Sequence, residues 1–327
     1  MKAAVRRRYG SPDVVSVEEA EKPPVKENEL LIKVHATTVN RTDCGLRVAH
    51  PFFLRLITGL FRPKVTIIGT EFAGEVTATG GGVTSFKVGD RVFGFNEATF
   101  GTHAQYLSVP QGGMLALIPA GVGYEQAAPS TEGAYYALTM IKTTGIRKGQ
   151  NVLVNGATGA IGSAAVQLVK ALGAGVTAVC ATENLELVRG LGADRVIDYT
   201  AEDFTKDKQE YDVVIDAVGK STFGRCRRLL KPHGIYTSSE LGTWGQNLFL
   251  TLVTPLFRGR KVRFPISERD PGIARHVKEL IESGAFTPVI DRRYPLDDIV
   301  EAYRYVETGR KIGNVVIVVD HSNEVDE

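Results

Sequence analysis

Residues 152–170 read VLVNGATGAIGSAAVQLVK, and the reading of this stretch decides the fold. A continuous apolar run leads into a glycine-rich turn, and a segment of good helix formers follows at once. The turn is Gly156-Ala157-Thr158-Gly159-Ala160-Ile161-Gly162. Glycine at such a turn lets backbone N–H groups approach a pyrophosphate, whose charge then meets the positive end of the following helix. Gly162 permits close packing of that helix on the strand. The spacing departs from G-x-G-x-x-G because Ala157 takes one of the positions. A glycine pattern alone is weak; the strand–turn–helix context and the βαβ continuation give it its weight.

Working outward, strands and helices alternate. Strands are expected at 151–155, 176–180, 196–197, 212–215, 234–238 and 261–264, with helices at 160–172 and 183–191 between them. This order forces parallel pairing with helices on both faces, the doubly wound α/β architecture of the Rossmann fold. Upstream the pattern is β. Runs at 2–5, 13–17, 29–35, 71–79, 90–93 and 103–109, separated by Gly, Pro and Asn, predict a curved, barrel-like sheet. Residues 51–61 (PFFLRLITGLF) break the pattern as a short apolar helix or loop, and 124–141 reads as one helix. Past the parallel sheet, helices at 270–283 and 296–308 and strands at 288–290 and 314–319 finish the chain.

At 327 residues the chain exceeds what one core usually organises, so two domains are expected. The divisions are 1–123, 124–286 as the dinucleotide-binding domain, and 287–327 as a return segment. A net charge of +2 gives no reason to expect a nucleic-acid or membrane partner. The basic run Arg6-Arg7-Arg8 is expected on a solvated strand face. Cys44, Cys180 and Cys226 are odd in number and far apart, which argues against a disulfide framework or a four-thiolate zinc site. The N-terminus lacks the apolar core of a signal peptide. The longest apolar stretch, 248–257, contains Thr251, Thr254 and Pro255 and is too short for a membrane span. A cytoplasmic location is expected.

The end of the second strand selects the dinucleotide. An NAD site usually carries Asp or Glu there, roughly 20 residues past the glycines, to accept the ribose 2′-hydroxyl. Here Val179-Cys180-Ala181-Thr182 has no carboxylate before Glu183. NADPH is therefore expected, with NADH as the second choice. Thr182 and Tyr199 are the candidate donors to a 2′-phosphate, and neither is charged. Two later strand ends, Asp216-Ala217-Val218-Gly219 and Tyr236-Thr237-Ser238, should line the ribose and nicotinamide, which adds Ala217, Val218, Gly219, Thr237 and Ser238 to the cofactor set.

Further motifs run the length of the chain. They are Met1-Lys2-Ala3-Ala4-Val5, Val39-Asn40-Arg41-Thr42-Asp43, Gly69-Thr70-Glu71-Phe72-Ala73-Gly74, Val88-Gly89-Asp90-Arg91-Val92-Phe93-Gly94, Leu191-Gly192-Ala193-Asp194 and Tyr211-Asp212-Val213-Val214-Ile215-Asp216. As an ordered set they resemble the medium-chain dehydrogenase/reductase superfamily in its zinc-free quinone oxidoreductase branch. The resemblance implies a GroES-like β-barrel catalytic domain made from both chain ends, a Rossmann domain between them and a cleft where the two meet. It also implies a homodimer joined through the Rossmann sheet edge near 261–264.

Zinc-dependent relatives place a Cys where this chain has Asn40 and a His where it has Thr70. The third ligand position falls around Ser130, Thr131 and Glu132, and the four-cysteine structural lobe is missing. Such a set does not suit Zn²⁺, and no metal is expected. His35, His50 and His103 are read as surface or packing residues. The residue five after the motif asparagine, often Tyr in the branch, is Gly45.

Hydride transfer without a Lewis acid works best onto an electron-poor acceptor, held in position and hydrogen-bonded at the oxygen that becomes negative. The expected activity is therefore NADPH-dependent reduction of a small hydrophobic quinone. An enone or alkenal reductase is the alternative, and a sensor or scaffold that binds NADPH without turnover is the reading of another class. Asn40 is the first candidate for the hydrogen bond to the acceptor, followed by Thr70 and Thr131. No residue stands out as a proton donor. An apolar pocket is expected from 51–61 with Phe93 and Phe95, with residues 244–257 adding to it.

Overall fold

The computed structural model describes residues 1–50, 54–266 and 270–322, which divide between two units. Met1–Glu132, Arg269–Glu282 and Val289–Glu327 form the first; Gly133–Glu268 and Ser283–Pro288 form the second.

The first unit begins with the hairpin β1 (Lys2–Arg6) and β2 (Val15–Glu19). Its main sheet starts at β3 (Glu29–Val39), a long strand that pairs with three others along its length. Then come α1 (Arg41–Val48), α2 (Leu54–Thr58), β4 (Glu71–Thr79), β5 (Arg91–Phe95), β6 (Tyr106–Pro110), β7 (Met114–Leu117) and α3 (Tyr124–Ala127). The apolar side chains of these strands close over one core that includes Leu30, Ile32, Phe72, Val76, Val92 and Leu107.

The helix α4 (Glu132–Thr144) carries the chain onward. In the second unit follow β8 (Asn151–Asn155), α5 (Ala160–Ala171), β9 (Gly175–Cys180), α6 (Leu185–Gly190), β10 (Arg195–Asp198), β11 (Tyr211–Asp216), α7 (Phe223–Cys226), β12 (Leu230–Ser238), α8 (Gln246–Val253) and β13 (Lys261–Val262). The six strands lie in the order β10-β9-β8-β11-β12-β13 and all pair in parallel. β8, β9 and β11 are buried along nearly their whole length, as a sheet covered on both faces requires.

The return segment supplies α9 (Gly272–Glu282), β14 (Ile290–Pro295), α10 (Ile299–Glu307) and β15 (Asn314–Val318). Buried Ile299, Ala302, Tyr303 and Val306 recur at helical spacing on α10 and join the barrel core. β14 and β15 extend the main sheet to seven strands, with β15 antiparallel to β3.

Several expectations change. Residues 124–141 do not form one helix, because Pro129 cannot donate a backbone hydrogen bond and a 3₁₀ turn, Ala128–Ser130, intervenes. The stretch 124–132 belongs to the first unit, since α3 packs on β3 and β4. So does α9, which packs on β7 and β5. Arg6 is not solvated. Its Nη1 donates to the carbonyls of Leu46 and Arg47 at 2.6 and 2.9 Å, at the end of α1, while Arg7 stays exposed beside Glu18. Residues 51–53 of the expected apolar segment lie outside the described residues. Among the described residues no helix is long and apolar enough to cross a membrane.

Candidate functional site

In the second unit, β8 delivers the chain to the glycine turn. Gly156 has φ +80°, a left-handed conformation that favours glycine, and a Cβ there would lie 2.4 Å from Val218 Cγ1. Gly162 has ordinary helical backbone, yet a Cβ on it would fall 2.0 Å from the carbonyl oxygen of Gly156. The first turn of α5 therefore folds directly over the turn that precedes it, closer than a strand contact alone requires. Ala157 N donates to Val179 O at 3.1 Å and ties the turn to β9. Gly159 is the N-cap of α5 and has no side chain to cap it. The amides of Ala160, Ile161 and Gly162 thus open the helix without an intrahelical acceptor, an arrangement made for an anion.

The strand ends beside the turn are tied together by Asp216, which in sequence is only the last letter of a motif. Asp216 is fully buried and accepts from Asn155 Nδ2 at 3.0 Å, Ser221 N at 2.9 Å and Tyr236 OH at 3.1 Å. Its register partners are Asn155 on β8 and Ser238 on β12, so three carboxyl ends are held level. Ala217, Val218 and Gly219 leave from this knot, and Gly219 has φ +63°. Thr237 Oγ1 is buried with no hydrogen-bond partner. A glycine cradle that a Cβ would fill and an orphaned hydroxyl two strands away both fit a dinucleotide: diphosphate on the α5 amides, and a polar group for Thr237 near the other end.

At the end of β9 the structure adds a carboxylate. Thr182 Oγ1 donates to Asp198 Oδ2 at 2.5 Å, and Asp198 also accepts from Thr200 N and Oγ1. These hydrogen bonds, the one from Thr182 first, hold Asp198 below the usual carboxylate range. An acid sought on β9 alone is not found, because it stands on β10, where Asp198 is the register partner of Cys180. Tyr199 is exposed.

In the first unit, all three residues nominated for catalysis meet at one buried cluster. Asn40 ends β3 and caps α1: its Oδ1 accepts from Asp43 N at 2.8 Å, and its own N donates to Asp43 Oδ2 at 3.1 Å. Asn40 Nδ2 donates to Thr70 Oγ1 at 2.9 Å, which leaves one amide hydrogen. Thr70 hands its proton towards Asp43 Oδ1 at 3.4 Å. Thr131 reaches Glu71: its N and its Oγ1 both stand 3.1 Å from Glu71 Oε1.

The carboxyl groups are what spacing along the sequence could not reveal. Glu71 is fully buried and also accepts from Glu132 N at 2.7 Å and, at Oε2, from Thr38 Oγ1 at 2.7 Å. It caps the first turn of α4, where negative charge is favoured. Glu132 accepts from Thr42 Oγ1 at 2.5 Å. Burial, and then the charge of Glu71, push Glu132 up to about 8. Burial also raises Glu71, and holds Asp43 well above its ordinary value. Lys311, half-buried, donates to Gly313 O; burial pushes its ammonium down while Glu132 and Glu71 act the other way.

His103 is a packing residue. It is fully buried, lies 2.7 Å from Thr38 O through Nε2, and is pushed down to about 4 by burial, so it is neutral. Among the described residues no group of three or more His, Cys, Asp or Glu side chains is arranged to hold a metal ion. Thr70 and Thr131 spend their hydroxyls on Asn40, the carboxyl groups and Gly94 O, whereas Asn40 keeps one Nδ2 hydrogen. Phe93 is core, whereas Phe95 lines a cavity of about 230 Å³ with Phe72, Val109 and Met114.

The raised Glu132 carboxyl has a consequence for stability. Folded, it holds its proton to about 8, whereas its ordinary value is 4.5. The folded chain therefore binds one proton more than the unfolded chain between those values, and stability falls as pH rises through them, by roughly 1 kcal/mol per pH unit. Calorimetry from about pH 5 to about pH 8 should show a falling midpoint, and Glu132→Gln should flatten that slope. A midpoint that rises over this range in the native chain would contradict the assignment.

Comparison with known proteins agrees with this architecture. The alcohol dehydrogenase GroES-like domain matches residues 26–120, and the zinc-binding dehydrogenase domain matches residues 191–317. The 2-methylene-furan-3-one reductase of Solanum lycopersicum is 32% identical over 97% of this chain and 79% of its own length. The chloroplastic NADPH-dependent alkenal/one oxidoreductase of Arabidopsis thaliana is 33% identical over the same shares. Among solved structures, the quinone oxidoreductase from Coxiella burnetii superposes with a TM-score of 0.87 at 26% identity, covering 98% of this chain and 99% of its own.

Proposed function

The chain belongs to the medium-chain dehydrogenase/reductase superfamily, in its zinc-free quinone oxidoreductase branch, and on that premise we propose that it reduces the C=C bond of α,β-unsaturated carbonyl compounds with NADPH. That it is an oxidoreductase follows from its relatives; the acceptor is our reading. One feature carries it: the buried Glu132 carboxyl, bonded by Thr42 Oγ1, which burial and the charge of Glu71 push up to about 8.

NADPH supplies a hydride when bound, and the glycine turn with the α5 amides would hold its diphosphate. Hydride arriving at the β-carbon of an enone leaves negative charge on the carbonyl oxygen and a carbanion-like α-carbon. The remaining Nδ2 hydrogen of Asn40 is the donor for that oxygen. The α-carbon needs a proton, and Glu132 holds one beside the half-buried Thr42, whose hydroxyl bonds its carboxyl. Thr70 and Thr131 position this pair; they touch Asn40 and Glu71.

A quinone is the second acceptor, supported by the likeness to the quinone oxidoreductase from Coxiella burnetii. Its reduced form is a phenolate-type oxygen that water protonates readily, so a protonated Glu132 matters less for it. The NADPH of the Arabidopsis thaliana relative suits the missing acid at the end of β9, while Asp198 leaves NADH a usable second reductant. The distinguishing experiment measures loss of NADPH absorbance with an enone, a quinone and a saturated aldehyde. Glu132→Gln should slow the enone by about 10²- to 10⁴-fold in kcat, the range for a lost general acid, and the quinone by far less. Equal losses for both would assign Glu132 to structure. NADPH binding with no acceptor consumed would make the chain a sensor or scaffold.

A further inference from the structure

A Rossmann unit made for NADH ends its second strand on an acid, which accepts the ribose 2′-hydroxyl. Here that strand, β9, ends at Cys180 and runs on into Ala181 and Thr182. The next strand supplies the acid. β10 lies beside β9 in parallel, and Asp198, its last residue, is level with Cys180. The glycine turn decides which end of a dinucleotide this place serves. Ala157 N bonds Val179 O and ties the turn to β9, whereas Asp216 and Thr237 lie on the other side of β8. With the diphosphate on the α5 amides and the nicotinamide towards β11 and β12, Asp198 stands at the adenosine end.

The hydroxyls around Asp198 already point their protons at it. Oδ2 accepts from Thr182 Oγ1 at 2.5 Å, and Oδ1 accepts from Thr200 Oγ1 at 2.7 Å and Thr200 N at 2.8 Å. A threonine hydroxyl has one proton to give, so neither can serve Asp198 and a 2′-phosphate together. An ionised carboxylate only accepts, which suits a 2′-hydroxyl and opposes a phosphate. Charge along the chain agrees. Residues 175–205 hold six acidic residues and two arginines. Arg189 pairs with Glu186, and Arg195 pairs with Asp207 at 2.6 Å. Neither guanidinium is left to meet a phosphate of charge about −1.5 to −2.

We propose that Asp198 sets the choice of reductant: its carboxylate receives the 2′-hydroxyl of NADH, its charge weakens the hold on NADPH, and the chain therefore takes either nucleotide. The empty acid position on β9 admits the 2′-phosphate, and Asp198 one strand further out opposes it. Thr182 and Thr200 are the positioning residues, because they fix the carboxylate between the two strand ends. The inference rests on the glycine turn as the dinucleotide site and does not depend on which acceptor the enzyme reduces.

Equilibrium titration of the full chain with NADH and with NADPH, read by nucleotide fluorescence without an acceptor, tests it. The two dissociation constants of the native chain should lie within about tenfold of each other. Asp198→Asn keeps the shape and an acceptor for Thr182 but removes the charge. It should tighten NADPH about tenfold, the scale of a unit charge acting on a dianion through water. It should weaken NADH about fivefold, because a charge-assisted hydrogen bond becomes a neutral one. Damage to the fold would weaken both nucleotides, so movement in opposite directions reports the side chain itself. Asp198→Ser should shift the ratio the same way. The proposal is overturned if the native chain binds NADPH more than about tenfold tighter than NADH, or if both variants leave the ratio within about twofold of native. Failure of the native chain to bind either nucleotide would overturn the dinucleotide site as well, whereas normal binding with an unmoved ratio would overturn the role of Asp198 alone.

Discussion

Glu71→Leu should cost the folded chain about 3–5 kcal/mol, the range for removing one member of a buried, charge-assisted network. The side chain is fully buried and receives hydrogen bonds from Thr38, Thr131 and Glu132. Leucine fills similar volume but orphans two backbone N–H groups and the Thr38 hydroxyl, each a buried donor that costs about 1–3 kcal/mol when unmet, while Thr131 Oγ1 keeps Gly94 O at 3.2 Å. For a chain of this size the thermal midpoint should fall on the order of 10 °C. Glu71→Gln should fall between, because an amide offers one oxygen to donors that converge on two carboxylate oxygens. Circular dichroism melts of the three proteins would check the order. A Glu71→Leu midpoint within about 2 °C of native, less than 1 kcal/mol, would mean the network is not formed.

Gly162→Ala should weaken NADPH binding by at least about 100-fold, nearly 3 kcal/mol. Helix propensity alone favours the change by about 1 kcal/mol, since alanine is the better helix former. Geometry opposes it: the new Cβ would sit 2.0 Å from the Gly156 oxygen and 2.8 Å from its carbonyl carbon, both backbone atoms. The turn must move, and the α5 amides proposed to meet the diphosphate move with it. Gly190→Ala, at the end of α6, is the control, because its Cβ meets nothing within 4 Å and its backbone is not left-handed. That variant should bind NADPH normally and be slightly more stable, by up to about 1 kcal/mol. Equilibrium titration of both settles the comparison. If Gly162→Ala binds as tightly as native, the turn does not touch the diphosphate.

The parts of the fold that are legible in sequence are those where polarity and burial agree. β8, the glycine turn and α5 read correctly because a strand covered on both faces must be apolar throughout, and the centre of NVLVN is. α10 reads correctly from its buried stripe. The elements that escape violate that agreement. α1 buries Asp43 and Arg47, so RTDCGLRV has no apolar periodicity to find. α8 turns its polar residues inward and its leucines outward, so its pattern reads as an apolar stretch rather than a surface helix. Arg6 looks solvated in sequence because nothing local announces the α1 carbonyls, some 40 positions away, that it caps.

The candidate site divides the same way. The glycine turn is local, within seven consecutive residues. The carboxyl cluster is not: Glu71 meets Thr131 and Glu132 across 60 and 61 positions, and Thr42 meets Glu132 across 90. Family motifs bring Asn40, Thr70 and Thr131 into view, but only the folded sheet shows that they converge on Glu71, Asp43 and Glu132. The proton donor we propose, which no spacing reveals, is a carboxyl that burial pushes up to about 8.

Hydride delivered to carbon, beside a carboxylic acid that protonates the neighbouring carbon, is the chemistry on which the proposed activity stands. Deuterated NADPH, labelled at the transferring position of the nicotinamide, probes it with an enone as acceptor and mass spectrometry or NMR of the product. The label should appear at the β-carbon of a saturated ketone. Label at the carbonyl carbon, in an allylic alcohol, would contradict that chemistry, and so would a product without label.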